Sequence, residues 1–224
     1  MTKKLVCRLY NFTIPPTNLH LVAYLSRMIS TEKALLLRSH IHRFVLISDA
    51  DWNLLTPHLQ EKKLKKGQAF IQEGKREKNI AFVIRGNLRQ YYTRSGEEKT
   101  TYFYFENHLM SSYMSCLTGQ PSKLTIEALT DCDLAVFSYE TILSLYQQSQ
   151  QWERFGRLLA EYLAIGLEER MVGLLMLSPE ERYQQLIESN KQKILERIPQ
   201  HYIANYLGIT PVSLSRIRNR IQKK

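Results

Sequence analysis

Cysteines, acidic residues and long apolar runs are all scarce in this chain. Three cysteines (Cys7, Cys116 and Cys132) among 224 residues are an odd number without tight spacing. That argues against a disulfide-stapled secreted scaffold, an iron–sulfur cluster or a zinc cage, and favours a reducing cytoplasm. No apolar run approaches the roughly 18 residues that a membrane-spanning helix needs, so no membrane partner is expected. Arg8 and Asn11 interrupt any leader-like stretch at the start. A glycine loop able to cradle phosphate and a nucleophile elbow are both missing, so no enzyme, no cofactor and no metal site is expected. His108 is a lone histidine, the kind found in a loop or core far more often than on a haem iron.

The acids number 21 against 31 lysines and arginines, a formal net charge of +10. Such an excess suits a polyanionic partner and says little about fold. Apolar residues make up 44% of the chain, enough for a buried core.

Three periodicities divide the chain. Residues 19–60 read as helical, with Leu21, Tyr24, Leu25 and Met28 on one face. Helix starts follow at Ser30-Thr31-Glu32 and at Ser48-Asp49, the second leading into Trp52, Leu54 and Leu55. Residues 61–137 read as short strands punctuated by Gly67, Gly74, Gly86 and Gly96. Ser95-Gly96 is a hairpin turn, and Tyr102-Phe103-Tyr104-Phe105 is aromatic on both faces, as in a strand covered on both sides. Many short, evenly spaced strands indicate a barrel-like or jelly-roll unit. The basic run Lys62-Lys63-Leu64-Lys65-Lys66 suits a solvated edge strand.

From Tyr139 to Leu177 the period is again helical. Phe155, Leu158, Tyr162, Ile165, Val172 and Met176 fall on alternating three- and four-residue steps if Glu169 fills one gap. That pattern fits a coiled-coil seam and equally a helix packed on its own domain. Gly156, Gly166 and Gly173 either permit close helix approach or only loosen the helix. Ser178-Pro179-Glu180-Glu181 is a capping box with proline in the first turn, so a new unit begins there.

The most specific signal spans residues 200–221. Ile203, Leu207, Ile209, Leu214 and Ile217 are apolar, Ala204 is small and Gly208 follows four residues later. Thr210-Pro211 opens a second helix. This is the pattern of a helix-turn-helix, two short helices sharing a tiny core across a tight turn. From His201 to Lys224 there are five basic residues (Arg216, Arg218, Arg220, Lys223 and Lys224) and no acid. Such a second helix suits the major groove of double-stranded DNA. Arg216 is the candidate for bidentate contact to guanine, and Val212 for a thymine methyl. Ser215 or Asn219 suits a neighbouring base or phosphate. Thr210, Ser213, Arg218 and Arg220 suit phosphates, which position without specifying, and Pro211 completes the DNA-binding set. Arg218 suits a place in the domain core equally well. An ordinary helical hairpin with a solvated basic face is the bland alternative.

This layout resembles the Crp/Fnr family of bacterial transcription regulators, in particular its Bacteroidetes-type members. The resemblance covers roughly residues 45–221 and is strongest from Tyr202 to Arg218. It implies an α+β fold with an N-terminal jelly-roll-like β-roll, flanking helices, a long dimerisation helix and a C-terminal winged-type helix-turn-helix domain. The boundaries expected are 1–45 for an N-terminal extension and helices, 46–138 for a cyclic-nucleotide-binding-like roll, 139–177 for the dimerisation helix and 178–224 for the DNA-binding domain. A cytoplasmic homodimer held by Phe155, Leu158, Tyr162, Ile165 and Val172 would read two half-sites, with RNA polymerase as a further partner. The chain departs from the family at the ligand site. A Gly-Glu pair and an Arg-Ser or Arg-Thr pair hold cyclic nucleotides there. Ungapped counting places Ser111-Ser112 and Ser122-Lys123 at those positions, so cyclic AMP is not expected to bind in the usual way; the effector is another small molecule or none. The stretch from Lys191 to Pro199 lacks the strand hairpin many relatives carry, which implies a reduced wing. The competing reading of the whole chain is a small-ligand-binding module that associates with polyanions non-specifically.

Overall fold

The computed structural model describes residues 29–188 and 192–221. The stripe at Leu21, Tyr24, Leu25 and Met28, the remainder of the N-terminal extension, and Lys223 and Lys224 lie outside them.

Both serine-led starts cap helices as their chemistry dictates. Ser30 accepts from Lys33 N at the head of α1 (Thr31–Ile41), and Ser48 accepts from Asp51 N at the head of α2 (Asp49–Leu55). A 3₁₀ turn, Thr56–His58, leads into the strands: β1 (Gln60–Leu64), β2 (Ala69–Ile71), β3 (Asn79–Arg85), β4 (Leu88–Arg94), β5 (Glu97–Tyr104) and β6 (Leu109–Met110). A short helix, α3 (Tyr113–Thr118), interrupts the series before β7 (Thr125–Ala128) and β8 (Cys132–Ser138).

The strands form two four-stranded sheets, ordered β1-β8-β3-β6 and β2-β7-β4-β5, and every pairing is antiparallel. The expected β-roll is therefore present, and β1 with its lysines is an edge strand. At the β4–β5 hairpin Ser95 and Gly96 both take positive φ, 53° and 81°, which matches the twist of the flanking strands. Gly86 turns β3 into β4 at φ +99°, where a Cβ would stand 2.6 Å from Cys132 Sγ and 2.7 Å from the Asp131 carbonyl. Only glycine fits that approach.

The region from Tyr139 is two helices, because Ser149 leaves the helical region at φ −148°, ψ 122°. It ends α4 (Tyr139–Gln148) and caps α5 (Gln150–Met176). A Cβ on Gly156 would stand 2.1 Å from the Tyr146 hydroxyl, so this glycine permits the close approach of α4 and α5. Nothing crowds Gly166. Four helices follow: α6 (Pro179–Glu188), α7 (Gln192–Arg197), α8 (Gln200–Leu207) and α9 (Pro211–Ile221). The capping box forms at α6, where Glu181 Oε2 accepts from Ser178 N at 2.7 Å and Ser178 Oγ accepts from Glu181 N at 3.3 Å. Helix α7 occupies the stretch where a strand hairpin was not expected.

Three apolar clusters hold the chain together. One fills the roll between its two sheets. A second joins α1, α2, α4 and the start of α5 through Leu37, Trp52, Leu55, Phe82 and Trp152. It also takes in Phe155, which is only 4% exposed. The interface expectation for Phe155 is corrected accordingly: the ring packs edge-on against Trp152 and Phe44 of its own chain. The third cluster is the core of the C-terminal helices α6 to α9, and it continues onto Phe103, Phe105 and Leu129 of the roll. That continuity explains why β5 is aromatic on both faces. Phe103 meets Tyr206 at a ring distance of 5.4 Å, while Tyr104 is buried in the interior of the roll.

Candidate nucleic-acid interface and effector region

Helices α8 and α9 pack on each other across a tight turn. Ile203, Ala204, Leu207, Leu214 and Ile217 are buried, and Gly208 turns the chain at φ +74°. Thr210 caps α9: its Oγ1 accepts from Ser213 N at 3.2 Å, and the two hydroxyls stand 3.0 Å apart. The other face of α9 is open. Thr210, Pro211, Val212, Ser215, Arg216, Asn219 and Arg220 are exposed, and Ser213 and Arg218 are half-buried. Val212 is 61% exposed, although an isolated valine gains by burial. Among the described residues no carboxylate pairs with Arg216 or Arg218. Arg220 donates to Glu180 at 2.6 Å. That pair is solvent-accessible and contributes little, so a phosphate can displace the carboxylate.

The expected seam on α5 is also open. Tyr162, Ile165 and Val172 are 62%, 58% and 47% exposed, Leu158 is half-buried and Met176 is 76% exposed. A second apolar flank, missed in the sequence, runs along Leu163, Leu167, Met171 and Leu174. Its steps of four, four and three are the signal that could have found it.

At the effector region the structure brings Ser112 and Ser122 together. Their hydroxyls stand 2.9 Å apart, and the residues are 2% and 3% exposed. Ser122 Oγ also bonds to the carbonyl and amide of Leu124. Ser111 is half-buried and Lys123 is exposed. Ser115 Oγ accepts from Glu77 N at 3.0 Å and donates to the Gln120 carbonyl at 2.6 Å. The hydroxyls of Ser112, Ser115 and Ser122 are thus satisfied by one another and by backbone groups.

Two half-buried histidines pack on aromatic rings. His40 packs against Phe44 and Phe82, and His108 against Tyr102, Tyr104 and Phe105. Each keeps a buried, unpartnered Nδ1. Burial pushes both from 6.5 down to about 4, helped by Arg43 beside His40 and by His40 and Lys193 beside His108. Between 6.5 and about 4 the unfolded chain takes up protons that the folded chain refuses. Stability from these rings is therefore complete above that window and falls as pH drops through it. The expected result is a melting temperature that declines across the window and declines less in His108→Phe; a level profile in the wild-type protein would refute it. Glu106 is held at about 2 by the Arg197 hydrogen bond, so its contribution is lost only at lower pH, below the ordinary 4.5.

Residues 61–149 match the cyclic nucleotide-binding domain family. A search of curated protein sequences found no match. Several solved structures share the fold. FixK2 from Bradyrhizobium japonicum superposes with a TM-score of 0.63 at 18% identity, covering 74% of this chain and 85% of that one. CLP from Xanthomonas campestris, a c-di-GMP-responsive global regulator, gives 0.60 at 15% identity, covering 79% and 92%. A mutant of CooA from Carboxydothermus hydrogenoformans gives 0.58 at 16% identity, covering 74% and 77%. The chain therefore shares the α+β architecture of these structures: a cyclic nucleotide-binding-type β-roll followed by helices. Among the described residues no helix is long and apolar enough to cross a membrane, and no group of three or more His, Cys, Asp or Glu could hold a metal ion.

Proposed function

We propose that this protein is a sequence-specific DNA-binding transcription regulator, not an enzyme, that acts in the cytoplasm as a homodimer on a palindromic site. The observation that carries the reading is the open face of α9, where Val212, Ser215, Arg216 and Asn219 stand exposed on a capped helix. Its N-terminal side chains reach base edges while Thr210, Ser213, Arg218 and Arg220 meet phosphates. The open seam on α5 supports pairing of two copies through Leu158, Tyr162, Ile165 and Val172. Two recognition helices about 34 Å apart would then match one duplex turn. RNA polymerase is the further partner implied by the family resemblance. The effector side is not set up for cyclic AMP, because Ser112 and Ser122 are buried against each other and no arginine lies between Asn107 and Leu124. If a small molecule controls the switch, its chemistry differs from a cyclic nucleotide.

Selecting preferred duplexes from a random pool tests the reading directly. A palindromic consensus is expected. Arg216→Ala should then lose about 1–3 kcal/mol of discrimination at one base pair in each half-site, with other positions unaffected. Uniform weakening across all sequences would favour the ligand-binding module with non-specific polyanion association instead.

A further inference from the structure

We infer that Asn205 is a positioning residue for DNA binding: its side-chain amide straps the helix-turn-helix to the edge of the β-roll and sets the pose of the recognition helix. The inference rests on the DNA-binding reading above.

Strand β5 ends its sheet, with β4 on one side and, among the described residues, no strand on the other. The register shifts between Gln90 and Tyr91, which pair with Tyr102 and Thr100, and leaves Thr101 out of the ladder, its hydroxyl accepting from Gln90 Nε2 at 3.0 Å. Backbone groups along such an edge need partners from outside the ladder. Asn205 supplies two of them. Its Oδ1 accepts from Thr100 N at 2.6 Å, and its Nδ2 donates to the Glu98 carbonyl at 2.8 Å. A primary amide carries one acceptor and one donor group side by side, as a peptide does, so Asn205 acts as a one-residue extension of the sheet.

The contacts around it are built to hold. Arg89 is 2% exposed and lies between the Tyr91 and Tyr202 rings, 4.1 Å from each centroid, with Glu98 at 2.6 Å. Tyr206 packs on Phe103 on one side and under Arg170 of α5 on the other, and Arg170 also donates to its carbonyl. Arg197 forks onto both oxygens of Glu106 at 2.6 and 2.8 Å. Bidentate geometry of this kind fixes orientation as well as distance.

On the helical side these contacts come from α7, α8 and Arg170 of α5. None uses Val212, Ser215, Arg216 or Asn219. A blocking latch would cover the recognition face; this one leaves it free and fixes where it points. Strand β5 also carries Tyr102 and Tyr104, with rings 4.8 Å apart, beside His108. One strand thus separates the interior of the roll from the DNA-binding unit, so a shift of β5 moves both.

The test compares the full-length wild-type chain with Asn205→Ala and Asn205→Asp. Alanine favours helix more than asparagine, so α8 should remain folded. Amide exchange at Thr100 should quicken at least about tenfold in Asn205→Ala as its acceptor disappears. Affinity for the selected palindrome should fall about tenfold, in keeping with the loss of two hydrogen bonds. Inserting or deleting one base pair between half-sites should cost the variant less than it costs the wild type, while affinity for a single half-site stays level. Asn205→Asp keeps the acceptor and loses the donor, so its palindrome affinity should lie between the other two. Unchanged Thr100 exchange in Asn205→Ala, or unchanged spacing dependence once the amide is freed, overturns the inference. The DNA-binding reading fails separately, if Arg216→Ala leaves sequence preference intact while Thr100 exchange still reports the strap.

Discussion

Replacing Ile165 and Val172 together with lysine is expected to yield a folded monomer whose affinity for a two-half-site duplex falls about 10²- to 10⁴-fold, the scale on which linking two binding units raises avidity. Both positions are open in the single chain, at 58% and 47% exposure, so the substitutions strain nothing inside the protomer. In a two-fold pair of α5 helices each lysine would instead meet its own copy across an apolar seam. Sedimentation velocity should give the monomer mass, and fluorescence anisotropy with a labelled palindrome should give the affinity. A dimer of unchanged stability would remove the Tyr162–Ile165–Val172 face of α5 from the interface and point to the other flank of the same helix, at Leu163, Leu167 and Leu174.

The second large effect lies in the core. Trp152→Ala should lower stability by about 3–5 kcal/mol. Trp152 is fully buried and donates its indole N–H to the Asp51 carbonyl at 3.1 Å. It ties the start of α5 to α2 and through it to the roll, so truncation leaves both a cavity and a lone carbonyl. Urea unfolding followed by far-ultraviolet circular dichroism measures the change. A loss below ~1 kcal/mol, the ordinary cost of a point substitution, would mean that the surrounding helices close over the gap.

Local chemistry was legible wherever a few neighbouring residues decide the backbone. Ser30, Ser48 and Ser178 cap helices because their hydroxyls reach amides three residues on. Gly208 turns the chain because a positive φ favours glycine, and Ser95-Gly96 closes its hairpin for the same reason. Exposure of the α9 face followed from the spacing of Leu214 and Ile217. Pairings across long stretches of chain were not legible. Nothing near Gln60 says that β1 lies against β8, whose residues 132–136 complete its ladder. Helix α3, an extra turn between β6 and β7, has no strong periodicity to betray it.

The misreadings share a cause. Phe155 fits the seam by spacing, yet Phe44 and Trp152 claim it first, because helix periodicity gives a direction and not a partner. The break at Ser149 was hidden by apolar residues that continue in phase on both sides. Asn205 carries no signal in a helix of Tyr, Ile and Ala, since its two partners lie 105 and 107 residues away. Ser112 and Ser122, singled out by counting along the chain, are ten residues apart and their hydroxyls meet, a contact that no local pattern announces.

The strap at Asn205 bears on how freely such proteins can be recombined. A DNA-reading unit exchanged at the Leu177–Ser178 junction would bring its own operator preference, yet the donor would need an amide opposite Thr100 and aromatic rings for Arg89 and Phe103. Without them the hybrid would have a reader and a sensor that no longer share a frame. Functional chimeras should therefore arise mainly when the β4–β5 hairpin travels with the foreign helices.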